Sequence, residues 1–533
     1  MADALTCGEA TIKLLKAYGV TTVFGIPGVH TLEFCRGLDK YVEHVQARNE
    51  QGAGLMAEGW ARATGKPGVA LVISGPGVTN ATTAVAQSYC DSLPMLLISA
   101  EPPSCSLGKG WGVLHEVTSQ KKLTEPITVF SATAMSADEV PDLIAKAFTV
   151  FSNGRPRPVH ISIPIDVQEE RVTEDWQPAE LPSCPVADGN TLEAAIELLK
   201  SAISPVIMVG GGAKDAGAEL TVISEATGAI VMSSSAGKGV ISDDHPLSLG
   251  QMHTREEGRE IIAEADIILA VGTELSETDS FVEKLNIPGK LIRVDIDPAK
   301  MNDLYPAELE IVGDAVPAMK ALQALLEGYI SNNRESAEEK VRSVRNMIRN
   351  NLSGSEIQHV TLLDALDQIA PDDMVFSGDA CQIMYTGAFV KKMRKPRQWF
   401  YPAGYCTLGN ALPNAIGAKF AQPETPVTVL VGDGGFMFTM PELMVAAEYK
   451  MAMPIIIWEN NALKQIRDDM DARNIAHVGV EPLNPDFVAL AKACHCHGVR
   501  PQSMDAFHAS YTQALEADRP TVIVVEEGSD WLL

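Results

Sequence analysis

The chain has 533 residues, 46% of them hydrophobic and 21% charged, with a formal net charge of −27. That length exceeds what one hydrophobic core supports and implies about three domains. So acidic a chain argues against nucleic acid or an anionic membrane as the main partner, because binding phosphate needs a basic patch.

No apolar run approaches the roughly 20 residues that cross a bilayer. The opening "MADALTCGEATIKLLKAYGV" reads as an amphipathic helix rather than a signal peptide. Nine cysteines, scattered without disulfide spacing, fit a reducing, cytoplasmic location.

In chain order, the segment 1–172 begins with a helix that Thr6 and Glu9 start as a capping box and Gly19 ends. "VTTVFGIPG" follows as strand and turn, "YVEHVQA" as a strand, then a helix from about Glu50 to Thr64. The strand "GVALVIS", the turn "GPG", another helix and the strands "PMLLISA" and "PVHISIPIDV" complete a βαβ rhythm. Residues 173–190, rich in proline, predict an extended linker. In 191–330 the rhythm returns with "PVIMVGGGAKDAG", "GAIVMSS", "ADIILAVGTELSETD" and "KLIRVDIDP". The charged stretch 331–352 predicts a helical linker, and 353–533 offers the strands "DDMVFSGDA", "VTVLVGDGG", "PIIIWENN" and "PTVIVVEEG".

The expected fold is α/β, with three open, mostly parallel-sheet domains. No sequence repeat joins them, so any duplication would be structural only. In "KACHCHGV", Cys494, His495, Cys496 and His497 suggest a metal site, but the stronger reading is a helix "DFVALAKACHCHG" closing on Gly498.

The stretch "VGDGGFMFTMPELMVAAEYKMAMPIIIWENN" (431–461) reads as strand, tight turn, helix and strand. A helical crossover returns the chain parallel, so Asp433 and the asparagines Asn460 and Asn461 fall at carboxyl ends of two parallel strands. Open α/β sheets bind ligands at that edge. One carboxylate with amide oxygens, without His or Cys, suits a hard cation, Mg²⁺ or Ca²⁺. Gly434 and Gly435 let phosphate oxygens approach backbone N–H groups at a helix start. The plainer alternative is an ordinary Asp-Gly turn beside a polar loop. No GxxxxGK[ST] occurs, and "GGGAKDAG" puts Asp215 where the third dinucleotide glycine belongs, so a nucleotide site in the middle segment stays open.

The "GDG" at 432–434 with "NN" after it resembles the thiamine diphosphate fingerprint. "ARNEQGAGLMAEGWARATGKPGVALVISGPGVTNA" (47–81) is similar to the pyrimidine-binding domain of the acetolactate synthase and 2-oxoacid decarboxylase superfamily. "GYCTLGNALPNAIGAKFAQP" (404–423) resembles that family's cofactor-bending segment. The resemblance implies a pyrimidine-binding domain at 1–172, a central domain at 191–330 and a diphosphate-binding domain at 353–533.

It also implies roles. Asp433, one asparagine and a main-chain carbonyl two residues beyond it would bind Mg²⁺. Counting without a gap selects Asn460 and the Ala462 carbonyl, with Asn461 and Leu463 as the alternative. Ala380, Cys381 and Gln382 occupy the other diphosphate loop. Glu50 would hydrogen-bond N1′ of the aminopyrimidine, so that the cofactor's own N4′ takes the C2 proton. Leu408 would enforce the bend that brings N4′ to C2, and the Cys406 carbonyl would accept from the 4′-amino group. Such enzymes place the pyrimidine domain of one subunit against the diphosphate domain of another, so a homodimer or homotetramer is expected.

Leu114 and His115 stand where acetolactate synthases usually carry Phe-Gln, and "GTELSETD" (272–279) where they typically offer arginines. "GIPGVHTLEF", "GVLHE" and "GTELSETD" together most resemble the 5-guanidino-2-oxopentanoate (2-ketoarginine) decarboxylases. The implied reaction is decarboxylation of that 2-oxoacid to 4-guanidinobutanal and CO₂. Glu274, Glu277 and Asp279 would form a negative rim for the guanidinium, with Val29, Leu114 and Gln465 completing the substrate pocket. His30 and His115 would lie near the reacting carbon as proton relays or carboxylate binders. Rival readings are a carboligase of the acetolactate synthase or benzoylformate kind, and a non-catalytic cofactor-binding paralogue.

Overall fold

A computed structural model describes residues 4–533. Three six-stranded parallel sheets carry the chain. The first has the spatial order Glu43–Gln46, Thr22–Gly25, Gly68–Val72, Met95–Glu101, Val159–Pro164, Ser131–Thr133. The third runs Trp399–Phe400, Val375–Gly378, Val427–Gly432, Pro454–Glu459, Thr521–Glu526, His497–Val499. Numbered within each sheet, both read 2-1-3-4-6-5, so two domains without a visible sequence repeat share one topology. The middle sheet runs Ser248–Gly250, Ile230–Ser233, Pro205–Val209, Ile267–Val271, Lys290–Asp295, Leu309–Val312. That is 3-2-1-4-5-6, the doubly wound dinucleotide order.

The inner strands are buried along nearly their whole length because helices cover both sheet faces, which is why they read as continuous apolar runs. Five strands lacked that signal in the sequence: Ser131–Thr133, Ser248–Gly250, Leu309–Val312, Trp399–Phe400 and His497–Val499. All five are sheet edges. The last of them corrects the reading of "DFVALAKACHCHG" as one helix: the helix is Phe487–Ala493, and Gly498 lies in an edge strand paired with Thr521–Glu526. The first helix runs Cys7–Ala17 and closes as expected on Gly19, which takes a left-handed φ of 89° just past the C-cap Tyr18. Thr6 Oγ1 accepts from Glu9 N at 3.4 Å, but the Glu9 carboxylate turns to Lys40 Nζ at 2.5 Å, so the capping box is half formed.

The charged stretch after the middle sheet is the helix Arg334–Asn350, whose Val341, Val344 and Ile348 enter a core shared by the middle and third sheets. The first and third sheets share another core, through the crossing of helices Glu50–Thr64 and Ala411–Ala421. Glycines set the closeness of that crossing: a Cβ on Gly417 would lie 1.9 Å from the Met56 carbonyl oxygen, and one on Gly59 2.1 Å from that of Asn414. Gly417→Ala should therefore destabilise the protein by about 1–3 kcal/mol, seen as a lower urea midpoint with an unchanged slope.

Candidate active site

The third sheet builds a polar edge from two neighbouring strands. Val427–Gly432 and Pro454–Glu459 pair in parallel, and both end at the same rim. Asp433 does not sit in a tight turn but opens the helix Asp433–Thr439. It is 2% exposed. Its Oδ2 accepts from Asn460 N at 3.1 Å, Asn461 N at 2.6 Å and Asn484 Nδ2 at 2.9 Å, and its Oδ1 accepts from Gly434 N at 2.8 Å. Burial raises the pKa of this carboxyl, and the four donors pull against that rise.

The two asparagines differ in direction. Asn460 Oδ1 accepts from Ala462 N at 3.3 Å, and its amide donates to Glu527 at 3.2 Å. Asn461, with φ of 55°, offers its Oδ1 to Asn484 Nδ2 at 3.2 Å, the same amide that reaches Asp433. Side-chain direction thus favours the pair Asn461 and Leu463 over Asn460 and Ala462 for a cation beside Asp433.

On the adjacent strand Val375–Gly378 the chain passes through Asp379, Ala380 and Cys381 into the helix Gln382–Val390. Two helix starts thus lie side by side, and their first-turn N–H groups and positive dipole ends favour an anion. Between them the floor is backbone: a Cβ on Gly432 would meet Cys381 Cβ at 3.2 Å, and one on Gly434 would meet Leu463 Cδ2 at 2.9 Å. Gly435 packs as tightly, since its Cβ would lie 2.4 Å from Asp379 Oδ2. Gln382 Oε1 is buried without a partner. A carboxylate, an amide oxygen and paired helix starts fit a diphosphate held through a hard divalent cation. Burial pushes the Cys381 thiol far up, which leaves it a small loop residue rather than a thiolate.

The first sheet builds the complementary edge. Asn49 caps the helix Glu50–Thr64 by accepting from Gln51 N at 2.9 Å, and Glu50, half-buried, accepts at Oε2 from Asn80 Nδ2 at 2.9 Å. Glu442, 1% exposed, anchors the same helix start from the third domain by accepting from Arg48 N at 3.1 Å and Asn49 N at 3.0 Å. His30 lies with Nδ1 2.5 Å from Ser74 Oγ and its ring centroid 5.3 Å from that of His115. Burial, helped by His115, lowers the His30 pKa. His115 has φ of 62° and an Nδ1 buried without a partner. Its loop is tied down where Gln120 Oε1 accepts from Gly75 N at 2.8 Å. Val29 and Leu114, 61% and 58% exposed, flank the histidines in sequence.

Leu408 is half-buried and belongs to none of the four apolar core clusters, so it is not ordinary core. Cys406 is exposed with φ of 55°.

The acidic loop 272–279 departs from expectation. Glu274 is neutralised by Arg155 at 2.6 Å and Lys300 at 2.8 Å. Asp279 is 9% exposed, its oxygens spent on Ser235 N and Ser276 Oγ, both at 2.8 Å. Both acids line a cleft of about 360 Å³ between the three domains, bounded also by Gly211, Lys214 and Asp295. Only Glu277 stays exposed, so the three do not form an open negative rim. Gln465 is exposed on the helix Lys464–Ala472, which buries none of its residues. Asn80, Asp379, Glu442 and Asn484 were missed in the sequence. Asn80, Asp379 and Glu442 lie within stretches already singled out, whereas Asn484 carries no local signal.

Fold and edges together define a three-domain α/β protein in which the third sheet ends in a buried carboxylate beside two helix starts and the first presents a half-buried one. Family models agree along the chain: thiamine pyrophosphate enzyme, N-terminal TPP binding domain at residues 5–123, central domain at 192–324, and C-terminal TPP binding domain at 379–525. The chain belongs to the thiamine pyrophosphate enzyme family. It is similar to a probable 2-ketoarginine decarboxylase, AruI, of Pseudomonas aeruginosa, with 48% identity covering 94% of this chain and 90% of that protein. It is also similar to a probable acetolactate synthase large subunit of Methanococcus aeolicus (30% identity, covering 97% and 91%) and an acetolactate synthase of Mycobacterium bovis (31%, covering 99% and 88%).

Proposed function

We propose that this enzyme is a thiamine diphosphate-dependent decarboxylase of 5-guanidino-2-oxopentanoate, taking up one proton and releasing CO₂ and 4-guanidinobutanal in arginine breakdown. The observation that carries this reading is the 48% identity, sustained over 94% of the chain, to the probable 2-ketoarginine decarboxylase of Pseudomonas aeruginosa, against 30% to the probable acetolactate synthase large subunit and 31% to the acetolactate synthase.

Bound thiamine diphosphate supplies a nucleophilic carbon for the keto group and an electron sink for the bonding pair that CO₂ leaves behind. The chain's residues do the rest. Asp433 and Asn461 would hold Mg²⁺, with the Leu463 carbonyl beside them, and the starts of the two helices, at Gly434–Gly435 and at Ala380–Gln382, would bind the diphosphate. Glu50 holds a proton at the aminopyrimidine ring nitrogen. Leu408 and the Cys406 carbonyl fix the fold of the cofactor. His30, whose pKa burial lowers, and His115 can accept or donate a proton at the substrate carboxylate and the product carbon. Glu277 is the acid of its loop left exposed for a cationic tail, with Val29, Leu114 and Gln465 near it in the substrate pocket.

In this reading Glu50 and Asp433 of one chain serve different sites, which requires a homodimer or homotetramer. Among the described residues no helix is long and apolar enough to cross a membrane, and nine free cysteines suit the cytoplasm.

Holoenzyme should be incubated separately with 2-ketoarginine, pyruvate and benzoylformate while CO₂ and products are assayed. Expected is a kcat/KM for 2-ketoarginine about 100-fold or more above the others. Acetolactate formed from pyruvate at a comparable rate would defeat the proposal in favour of a carboligase.

A further inference from the structure

The segment 404–410 holds a demanding shape with little apolar support. Cys406 and Gly409 take left-handed φ of 55° and 82°, while Gly404, Tyr405 and Cys406 are exposed. Polar contacts fix it from two sides. From the third domain, Asp379 Oδ2 accepts from Gly409 N at 2.7 Å, and Thr439 Oγ1 donates to the Gly409 carbonyl at 2.7 Å. From the first domain come three acceptors: Asp91 Oδ1 takes Gly404 N at 2.6 Å, Gln87 Oε1 takes Thr407 N at 3.2 Å, and Glu58 takes Asn410 Nδ2 at 3.2 Å.

These acceptors are one connected unit. Gln87 Nε2 donates to Asp91 Oδ2 at 2.8 Å, Arg62 Nε donates to Glu58 Oε1 at 2.8 Å, and Arg62 also pairs with Asp91. Gln87 and Glu58 are fully buried, and Arg62 is 5% exposed. Gln87 and Glu58 are shut away from water while Asp91 borders the interdomain cleft, and because each partner is held by another, the unit resists displacement of the segment. Its position in the fold is also telling. Gln87 spends both ends of its amide, one on the neighbouring carboxylate and one on a backbone N–H of another domain, immediately before Leu408.

We propose that Gln87, together with Asp91 and the Arg62–Glu58 pair, positions the 404–410 turn so that Leu408 and the Cys406 carbonyl meet the cofactor in a single geometry. The proposal rests on the reading of that turn as the cofactor-bending segment. A loosened turn leaves the diphosphate and metal contacts intact, so cofactor binding and loss of the C2 proton should separate.

The test compares wild-type holoenzyme with Gln87→Leu, which removes both hydrogen bonds at nearly constant volume. Deuterium exchange of the cofactor's C2 proton, quenched in acid and read by NMR, needs no substrate. Exchange should slow by about 10–100-fold in Gln87→Leu while thiamine diphosphate affinity stays unchanged. Ile196→Val, in the core of the central domain, should lower Tm without slowing exchange. Should Gln87→Leu not fold, Gln87→Met fills the same space and serves for the same measurement. Unchanged exchange in a folded Gln87 variant would overturn the positioning role and leave the network merely structural. A wild type that exchanges quickly yet decarboxylates no 2-oxoacid would overturn the substrate reading alone, with the comparison of variants still deciding the role of Gln87.

Discussion

Glu50→Gln should lower kcat by about 10²–10⁴-fold while leaving the fold and cofactor affinity nearly as they are. Glu50 sits at the first position of its helix, half-buried, with one side-chain hydrogen bond, to Asn80 at 2.9 Å. Glutamine keeps that acceptor and the same shape, so stability should move little. What it would lose, in the proposed mechanism, is the ability to hold a proton at the aminopyrimidine nitrogen, and with it the partner proposed to promote loss of the C2 proton. Tm, thiamine diphosphate affinity and turnover measured on the same preparation separate these effects. Turnover within a small factor of wild type would remove Glu50 from the mechanism. A wild type that binds the cofactor and turns over no 2-oxoacid would instead favour a non-catalytic paralogue.

The sequence revealed inner structure better than edges, for a physical reason. "PIIIWE" and "VTVLVG" lie between helices on both faces, so every position but the terminal Glu459, which pairs with Arg500, is apolar or small. Trp399–Phe400 and His497–Val499 have one neighbour and are short, and so leave no periodic trace. The same logic governs the site. Asp433 and the asparagines were legible because each follows an apolar strand at the ligand-binding rim. Asn484 reaches Asp433 from a loop 51 residues further on, where only the folded chain shows the contact. Glu274 and Asp279 were misjudged because a sequence displays charges without what satisfies them: Arg155 comes from the first domain, Lys300 from beyond the next strand, and the Ser235 N–H from backbone.

Asp433→Ala should abolish turnover and weaken Mg²⁺-dependent retention of thiamine diphosphate by about 100-fold or more. The carboxylate accepts from four donors and is the one buried anion between the two asparagines and Gly434. Removing it would delete the anionic ligand proposed for the cation and leave those N–H groups unpaired, so loop 460–463 should lose its shape. The asparagines then give a sharper comparison. Asn461→Ala removes the amide oxygen turned toward Asp433, and metal affinity should fall by about 10–100-fold with little change in Tm. Asn460→Ala breaks the contacts to Ala462 N and Glu527, so its main effect should be on Tm, with metal affinity changed far less. Titration of Mg²⁺ into each apoprotein with thiamine diphosphate present, followed by intrinsic fluorescence, reads the order directly. If Asn460→Ala proved the more damaging to metal affinity, the cation would sit one residue earlier in the loop, with Ala462 rather than Leu463 lending its carbonyl.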